Sequence, residues 1–178
     1  MSAGRELFAR RGPQAQMDEI AAHAGVGIGT LYRHFPTKEA LLTAMVRERF
    51  QGFAEIARAA EEIIDPRMAL EGAMRSSAEA VEGDMGFQLA MMGSDQLEWD
   101  GIEEEKAALA EVLTRIIGRA VAAGVVREDF TVEDFGMVMC GITSIMYFQP
   151  GSSNWRRHLE LILQGVCAPA RELDQPVA

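Results

Sequence analysis

Residues 25–41 read GVGIGTLYRHFPTKEAL, and this stretch decides the fold of the 178-residue chain. Three glycines alternate with apolar residues, and two aromatics, an arginine, a histidine and a proline follow. A glycine-rich run of this kind forms either a phosphate-binding loop or the turn of a helix-turn-helix. A phosphate-binding loop follows a strand, but the preceding MDEIAAHA (17–24) has its apolar residues at helical spacing. Because the third glycine of a dinucleotide-binding loop is also missing at its required position, the sequence predicts a helix-turn-helix.

The apolar positions around the turn predict two short helices. In residues 17–24 they recur at i, i+3, i+4 and i+7, and Gly25 supplies the left-handed conformation that ends a helix. The second helix spans about 28–35 and stops before Pro36, because the residue before a proline disfavours the helical region. Its buried stripe is predicted to consist of Ile28, Leu31 and Phe35.

The opposite face of the second helix carries side chains suited to DNA. Thr30, Arg33 and His34 share this face, and arginine pairs bidentately with guanine while threonine offers a hydroxyl and a methyl group. Tyr32 and Lys38 flank the face and suit phosphate oxygens. The alternatives are that His34 is an ordinary surface histidine and that Tyr32 is a core aromatic.

The charge distribution is uneven along the chain. The formal net charge is −10, which argues against nucleic-acid binding if it is taken for the whole chain. Residues 1–50, however, contain seven Lys and Arg against five Asp and Glu, so residues 51–178 account for −12. A slightly basic head on an acidic body predicts that the head alone meets a polyanion.

Several classes of protein are excluded by the composition. The sequence contains no run of 18 or more uncharged apolar residues, which a membrane span would need. The N-terminal residues also lack the apolar stretch of a signal peptide. We therefore expect a cytoplasmic protein with no membrane partner. Cys140 and Cys167 form no metal-binding spacing and are predicted to be buried thiols, with a regulatory disulfide as the alternative. With no catalytic constellation of serine, cysteine and histidine, we expect no enzyme and no cofactor. The three histidines are scattered along the chain, so we expect no metal site.

The rest of the chain predicts helices throughout. Thr37 is expected to cap a long fourth helix, Asp65 with Pro66 to open a fifth, and Thr131 with Asp134 to form a capping box. We therefore predict an all-α fold of about nine helices, with a head (1–46) and a body (47–178) joined by the fourth helix. The predicted helices span about 2–11, 17–24, 28–35, 37–64, 65–82, 86–98, 102–123, 131–148 and 154–168.

The segment MDEIAAHAGVGIGTLYRHFPTKEALL (17–42), with RELFARRG (5–12) ahead of it, resembles the signature of the TetR family of bacterial transcriptional regulators. The resemblance covers roughly the first 50 residues. It implies an all-α homodimer whose first three helices bind double-stranded operator DNA and whose body binds a small-molecule effector. By position it places the DNA contacts on Ile28, Gly29, Thr30, Tyr32, Arg33, His34 and Lys38.

The resemblance also directs attention to the body. The middle helices usually form the effector pocket in this family, and the body is rich in methionine, which adapts to varied ligands. We therefore predict a hydrophobic effector, with ordinary core packing of these residues as the alternative. The expected pocket residues are Phe87, Met91, Trp99 and Met139.

The last two helices are predicted to form the dimer interface. They are broadly apolar, with more apolar side chains than one small body needs, and a two-fold dimer would bury the excess. The residues expected there are Phe135, Val138, Ile142, Ile145, Leu159, Ile162 and Val166.

Two positions depart from the family pattern. The first helix begins almost at Met1, without the basic arm that often precedes it, and Ala15-Gln16 stand where a serine or threonine usually caps the second helix. The expected function is a dimeric repressor released from its operator by a hydrophobic effector. The alternatives are an effector-independent DNA-binding protein and a helical small-molecule-binding protein whose head is impaired.

Overall fold

The computed structural model describes residues 2–11, 14–84, 87–88 and 99–167. In these ranges the chain is helical and contains no strand, as the all-α prediction required. The predicted sixth helix, 86–98, lies almost wholly outside the described residues. The described helices are α1 (Ser2–Arg11), α2 (Met17–His23), α3 (Ile28–His34), α4 (Lys38–Glu61), α5 (Pro66–Val81), α6 (Glu103–Ala122), α7 (Val132–Phe148) and α8 (Asn154–Val166), with a 3₁₀ turn at Trp99–Ile102 before α6.

Side-chain caps begin three of these helices where the sequence placed them. The side chains of Thr37 and Asp65 accept hydrogen bonds from backbone N–H groups three residues on, at 3.1 and 2.8 Å. Thr131 and Asp134 form the reciprocal capping box, in which the Asp134 carboxylate accepts from the Thr131 N–H at 2.8 Å. These caps satisfy N–H groups that have no partner within the helix, which fixes the helix starts.

The α4 helix ends at Glu61, three residues earlier than predicted. The guanidinium of Arg119 on α6 donates to the carbonyl oxygens of Glu61 at 2.6 Å, Ile63 at 2.6 Å and Ile64 at 3.3 Å. Arg115 adds an ion pair to the Glu61 carboxylate. These hydrogen bonds satisfy carbonyl groups at the C-terminus of α4 that have no partner within the helix, and they hold the end of α4 against α6.

Two hydrophobic clusters make up the core. The head cluster is formed by buried residues of α1 to α3 and the start of α4, and its last member is Met45. The body cluster begins with the next residue, Val46, and takes in the rest of α4 and the helices α5 to α8. The single helix α4 therefore contributes to both clusters. The division of the chain at 46/47 stays a prediction.

Contacts between head and body extend beyond α4 itself. Tyr147 of α7 packs against the head cluster. Arg5 on α1 lies 3.1 Å from Glu48 through Nη2 and 3.7 Å from Asp84 through Nε, and both carboxylates lie outside the head. Within the body, α4 packs on α5 and α6, and α7 packs on α5 and α8. No helix in the described ranges is long and apolar enough to cross a membrane.

Candidate DNA-binding and effector sites

The turn between α2 and α3 has the geometry of a helix-turn-helix. Gly25 has a φ of 67°, the left-handed conformation that ends α2. The Val26 N–H donates to the Ala21 carbonyl at 3.0 Å, which closes the turn ahead of Gly27, the N-cap residue of α3. Gln16 takes the N-cap position of α2, where the Glu19 carboxylate accepts from its N–H at 3.2 Å in place of a serine or threonine cap.

One face of α3 is exposed and polar. Thr30, Arg33 and His34 all lie on the solvent side, while Leu31 is buried in the head cluster. Tyr32 is 47% exposed, so it does not serve as a core aromatic. These side chains lie together on a surface that can enter a groove of DNA.

The predicted buried stripe of α3 was wrong at Ile28. This side chain is 42% exposed, and Phe35 is only half-buried against the head cluster. Side chains on a helix lean toward its N-terminus, so Ile28, the first residue of α3, projects over the turn rather than onto α2. Ile28 is therefore a surface residue, and of its two predicted roles only that of a DNA contact remains a prediction.

The charge argument from the sequence overcounted the positive charge of the head. Of the seven Lys and Arg residues in residues 1–50, four form ion pairs with carboxylates of the same chain, although the side chains of Arg11 and Arg47 remain about half exposed. Those pairs are Arg5 with Glu48, Arg11 with Glu19, Arg47 with Glu105, and Arg49 with Asp84. The positive charge at the predicted DNA face rests mainly on Arg33 and Lys38, and the Lys38 ammonium lies 5.5 Å from the centre of the Phe8 ring.

A hydrogen bond joins α1 to α2 within the head. His23 Nε2 lies 2.7 Å from a carboxylate oxygen of Glu6. This contact holds the pKa of Glu6 below its usual value. A contact between residues 17 positions apart leaves no local pattern in the sequence, so it could not be predicted.

A cavity of about 380 Å³ lies between α4, α5, α6 and α7. Three phenylalanine rings form one wall and meet edge to face, with centroid separations of 5.8 Å for Phe50 and Phe53, 5.6 Å for Phe53 and Phe87, and 6.4 Å for Phe50 and Phe87. The lining is almost wholly apolar, and Lys106 is the charged side chain among the described lining residues. Its ammonium pairs with Glu103 at 3.0 Å. The volume falls within the range of about 300–1,000 Å³ that is usual for small-molecule sites.

Two of the four predicted pocket residues line this cavity. Phe87 and Met139 do so, Met91 lies outside the described residues, and only the backbone of Trp99 is described. Phe50 and Phe53 were not predicted as pocket residues, because α4 was expected only to connect the head to the body. Their i, i+3 spacing within a long amphipathic helix was the available signal.

Of the four described methionines in the body that the sequence offered for the pocket wall, Met139 lines the cavity, and Met74 follows the alternative of ordinary core packing. Met74 is fully buried in the body cluster, and Met68 and Met137 are exposed. Aromatic and aliphatic side chains make up most of the lining instead. The side chains of this lining are therefore less flexible than methionine side chains would be.

The two cysteines are not buried as predicted. Cys140 is exposed and lines the cavity, and Cys167 is half-buried near the end of α8. Partial desolvation raises the pKa of the Cys140 thiol, so it presents a neutral group to the cavity near neutral pH. The described ranges contain no group of three or more His, Cys, Asp or Glu side chains that could hold a metal ion.

The premise behind the predicted dimer residues needs correction. Phe135, Ile142, Leu159 and Val166 are buried in the core of the single chain, so they are not an apolar excess. The three others, Val138, Ile145 and Ile162, are partly buried. The same two helices expose Met137, Phe148 and Leu161, which the sequence analysis did not select.

Two sequence families match the chain. Residues 1–45 match the bacterial regulatory proteins of the tetR family, and residues 65–168 match the C-terminal domain of SbtR-like transcriptional regulators. The chain belongs to the TetR family of transcriptional regulators. The resemblance drawn from residues 5–42 is thereby confirmed.

The similarity of this TetR-family protein to known relatives extends over nearly its whole length. The HTH-type transcriptional repressor KstR2 of Rhodococcus jostii is 26% identical, and the alignment covers 92% of this chain and 87% of KstR2. A TetR regulator of Streptomyces coelicolor, solved by crystallography, is 28% identical with a TM-score of 0.66, covering 95% of this chain and 97% of that chain. FadR of Bacillus subtilis, solved with stearoyl-CoA, has a TM-score of 0.72 at 21% identity, covering 93% and 96% of the two chains, and shares the fold.

Proposed function

We propose that this TetR-family protein is a homodimeric repressor that leaves its operator when an apolar small molecule fills the cavity. The exposed face of α3, with Thr30, Arg33 and His34, supplies the base contacts, and Tyr32 with Lys38 supplies phosphate contacts. The similarity to the repressor KstR2 supports the direction of regulation. Such a protein acts in the cytoplasm, where bacterial operator DNA lies.

One observation carries the proposal. Phe50 and Phe53, which line the cavity, lie on α4, the helix that begins at Lys38 beside the predicted DNA face. Any molecule that fills the cavity therefore contacts the helix that supports the head. A ligand that binds one tilt of α4 better than another shifts the population of head positions, and equal affinity would shift nothing.

The anchoring of α4 favours a lever motion. Its C-terminal end is held by Arg115 and Arg119, whereas its N-terminal end belongs to the head. At a rise of about 1.5 Å per residue, the phenylalanines lie about 15 Å from this anchor and Lys38 about 35 Å from it. A small displacement at the cavity is therefore roughly doubled at the DNA face.

The effector proposed here is a mainly apolar molecule, either an acyl chain or an aromatic compound. The wall of three phenylalanines and several aliphatic side chains offers burial rather than hydrogen bonds. The stearoyl-CoA held by FadR of Bacillus subtilis, which has the same fold, makes the acyl class the first to test. The two classes are separated by measuring binding of a free fatty acid, an acyl-CoA and a naphthalene probe.

The proposed dimer uses the outer surface of α7 and α8. Val138, Ile145 and Ile162 remain in this proposal with the exposed Met137, Phe148 and Leu161. Such an apolar surface is stabilised by burial against its two-fold copy. In a dimer the two α3 helices would contact successive major grooves, about 34–36 Å apart or slightly more.

The proposed operator binding is tested with the purified full-length protein and the DNA upstream of its own gene. Fluorescence anisotropy at fixed salt, with excess random competitor, separates specific binding from phosphate attraction. We expect saturable binding by a dimer that survives the competitor. Binding that disappears with the competitor, across the upstream region, would contradict the proposed repressor and favour a small-molecule-binding protein with an impaired head.

A further inference from the structure

Asp84 stands at the junction between the cavity wall and the head. Gly83, with a φ of 79°, turns the chain after α5 and directs Asp84 back toward α4. The side chain is only 6% exposed. Its Oδ1 accepts a hydrogen bond from the Phe87 N–H at 3.1 Å, so Asp84 fixes the backbone of a residue whose ring lines the cavity.

The other carboxylate oxygen of Asp84 faces two arginines of the head and of α4. Oδ2 accepts from Arg49 Nε at 3.1 Å and lies 3.7 Å from Arg5 Nε. Arg5 belongs to α1, and its Nη2 also pairs with Glu48 of α4 at 3.1 Å. A single buried carboxylate thus connects the cavity wall, α4 and the first helix of the head.

The contact between Arg5 and Asp84 is incomplete. Arg5 Nε is buried and finds no hydrogen-bond acceptor among the described residues. A buried donor without a partner is unfavourable, and a normal hydrogen bond needs a distance about 0.5–1 Å shorter than the one observed. A small shift of Asp84 therefore makes or breaks a charge-assisted bond to α1.

We infer that Asp84 is the positioning residue that transmits the state of the cavity to α1, by joining the backbone at Phe87 to Arg5. The inference rests on the proposed effector function, but it names a connection that does not depend on the tilt of α4 alone. A ligand that displaces Phe87 moves the Asp84 carboxylate, which changes the distance between that carboxylate and Arg5. The head then responds through α1 as well as through α4.

A ligand-free double-mutant cycle tests the connection in the full-length protein by amide hydrogen exchange. The variants are Arg5→Gln, Asp84→Asn and their combination, and Asn at position 84 still accepts the Phe87 N–H. We expect Asp84→Asn to speed exchange in α1 about fivefold, the factor for about 1 kcal/mol, and Arg5→Gln to speed it at least as much, because Arg5→Gln also loses the ion pair with Glu48. The double variant should exchange little faster than Arg5→Gln alone. Arg67→Gln, which breaks an ion pair with Glu71 on the surface of α5, is the matched control and should leave α1 unchanged. The inference would be overturned if the fold increases in α1 exchange of the two single variants multiply in the double variant. It would also be overturned if neither variant changes exchange in α1.

The second arm adds saturating 1-anilinonaphthalene-8-sulfonate. In the wild-type protein we expect slower exchange in the peptides that line the cavity and a simultaneous change in α1. Arg5→Gln should keep the cavity response and lose most of the α1 response. Two results would overturn the inference without contradicting the effector site. In one, the ligand changes exchange in α1 of Arg5→Gln as much as in the wild type. In the other, the ligand slows exchange in the wild-type cavity peptides and leaves exchange in wild-type α1 unchanged. Absence of any cavity response would count against the proposed effector site, and the ligand-free cycle would then decide the inference.

Discussion

The rings of Phe53 and Phe87 meet edge to face with their centroids 5.6 Å apart. Phe53 belongs to α4, whose first residue lies beside the predicted DNA face, and the backbone N–H of Phe87 donates to Asp84. This aromatic pair therefore brings together the two connections between cavity and head.

Arg33→Ala and Lys38→Ala should weaken DNA binding in different ways. Arg33 lies on the exposed face of α3, where a guanidinium can pair with guanine, so its loss should cost about 1–3 kcal/mol and relax specificity. Lys38 is predicted to contact phosphate, so its loss should weaken binding to all sequences alike. Anisotropy titrations with operator and with random DNA measure both effects. Equal losses on the two DNAs for Arg33→Ala would contradict a base-reading role.

Gly29→Ala should impair DNA binding without harming the fold. A Cβ at position 29 would meet no atom of the chain within 4 Å, and alanine favours a helix by about 0.5–1 kcal/mol over glycine. The added methyl group would lie on the face that approaches the groove. Gly118→Ala on α6, where a Cβ also meets nothing, is the control and should raise the melting temperature with unchanged operator affinity. Unchanged operator affinity of Gly29→Ala would show that this face stays clear of the DNA.

Phe148→Ser should shift the proposed dimer toward monomer. The Phe148 side chain is 73% exposed on α7 in the single chain, so its replacement removes apolar area from the outer surface without opening the core. Sedimentation equilibrium across a dilution series measures the change. Ile64→Ser, at an even more exposed apolar residue between α4 and α5, is the control and should leave association unchanged. If Phe148→Ser associates as the wild type does, the dimer does not depend on this surface.

The local part of the fold was predictable from the sequence, and the tertiary contacts were not. Thr37, Asp65 and the pair Thr131 and Asp134 act on backbone groups three residues away, so a short pattern reveals them. The end of α4 depends on Arg119, which lies 58 residues beyond Glu61. No local pattern shows such a contact.

The same distinction holds at the candidate sites. The exposed polar face of α3 follows from helical periodicity, which places Thr30, Arg33 and His34 together. The cavity, in contrast, requires knowing that α4 packs beside α5 and α6, so Phe50 and Phe53 were missed. Apolar residues of α7 and α8 also could not be divided between core and surface by spacing alone.

The contact of Glu82 with Arg156 and Trp155 should make part of the stability sensitive to acid. Hydrogen bonds from the Arg156 guanidinium and from the Trp155 indole hold the pKa of Glu82 below its usual value. A carboxylate with a lowered pKa in the folded state stabilises it above the unfolded value of about 4.3, and this contribution is lost as the pH falls through the folded value.

Glu82→Gln removes this contribution. The melting temperature of the variant should lie below that of the wild type at pH 7, and the difference should shrink as the pH falls below about 4.3. Thermal unfolding followed by circular dichroism measures the difference at each pH. Glu55→Gln, on the exposed side of α4, serves as the control. A difference that stays constant or grows toward acid would contradict the assignment.

The most direct test of the central claim is operator affinity with the cavity empty and filled. Stearoyl-CoA, decanoic acid and 1-anilinonaphthalene-8-sulfonate are each added at saturation to the wild type and to Ala110→Leu, in which a larger side chain enters the cavity from α6. Ala107→Leu, on the exposed side of the same helix, is the matched control. We predict that a ligand bound in the cavity raises the operator Kd about fivefold or more. Ala110→Leu should abolish this increase, whereas Ala107→Leu should retain it. Ligands that bind the cavity and leave the operator Kd unchanged would contradict the account.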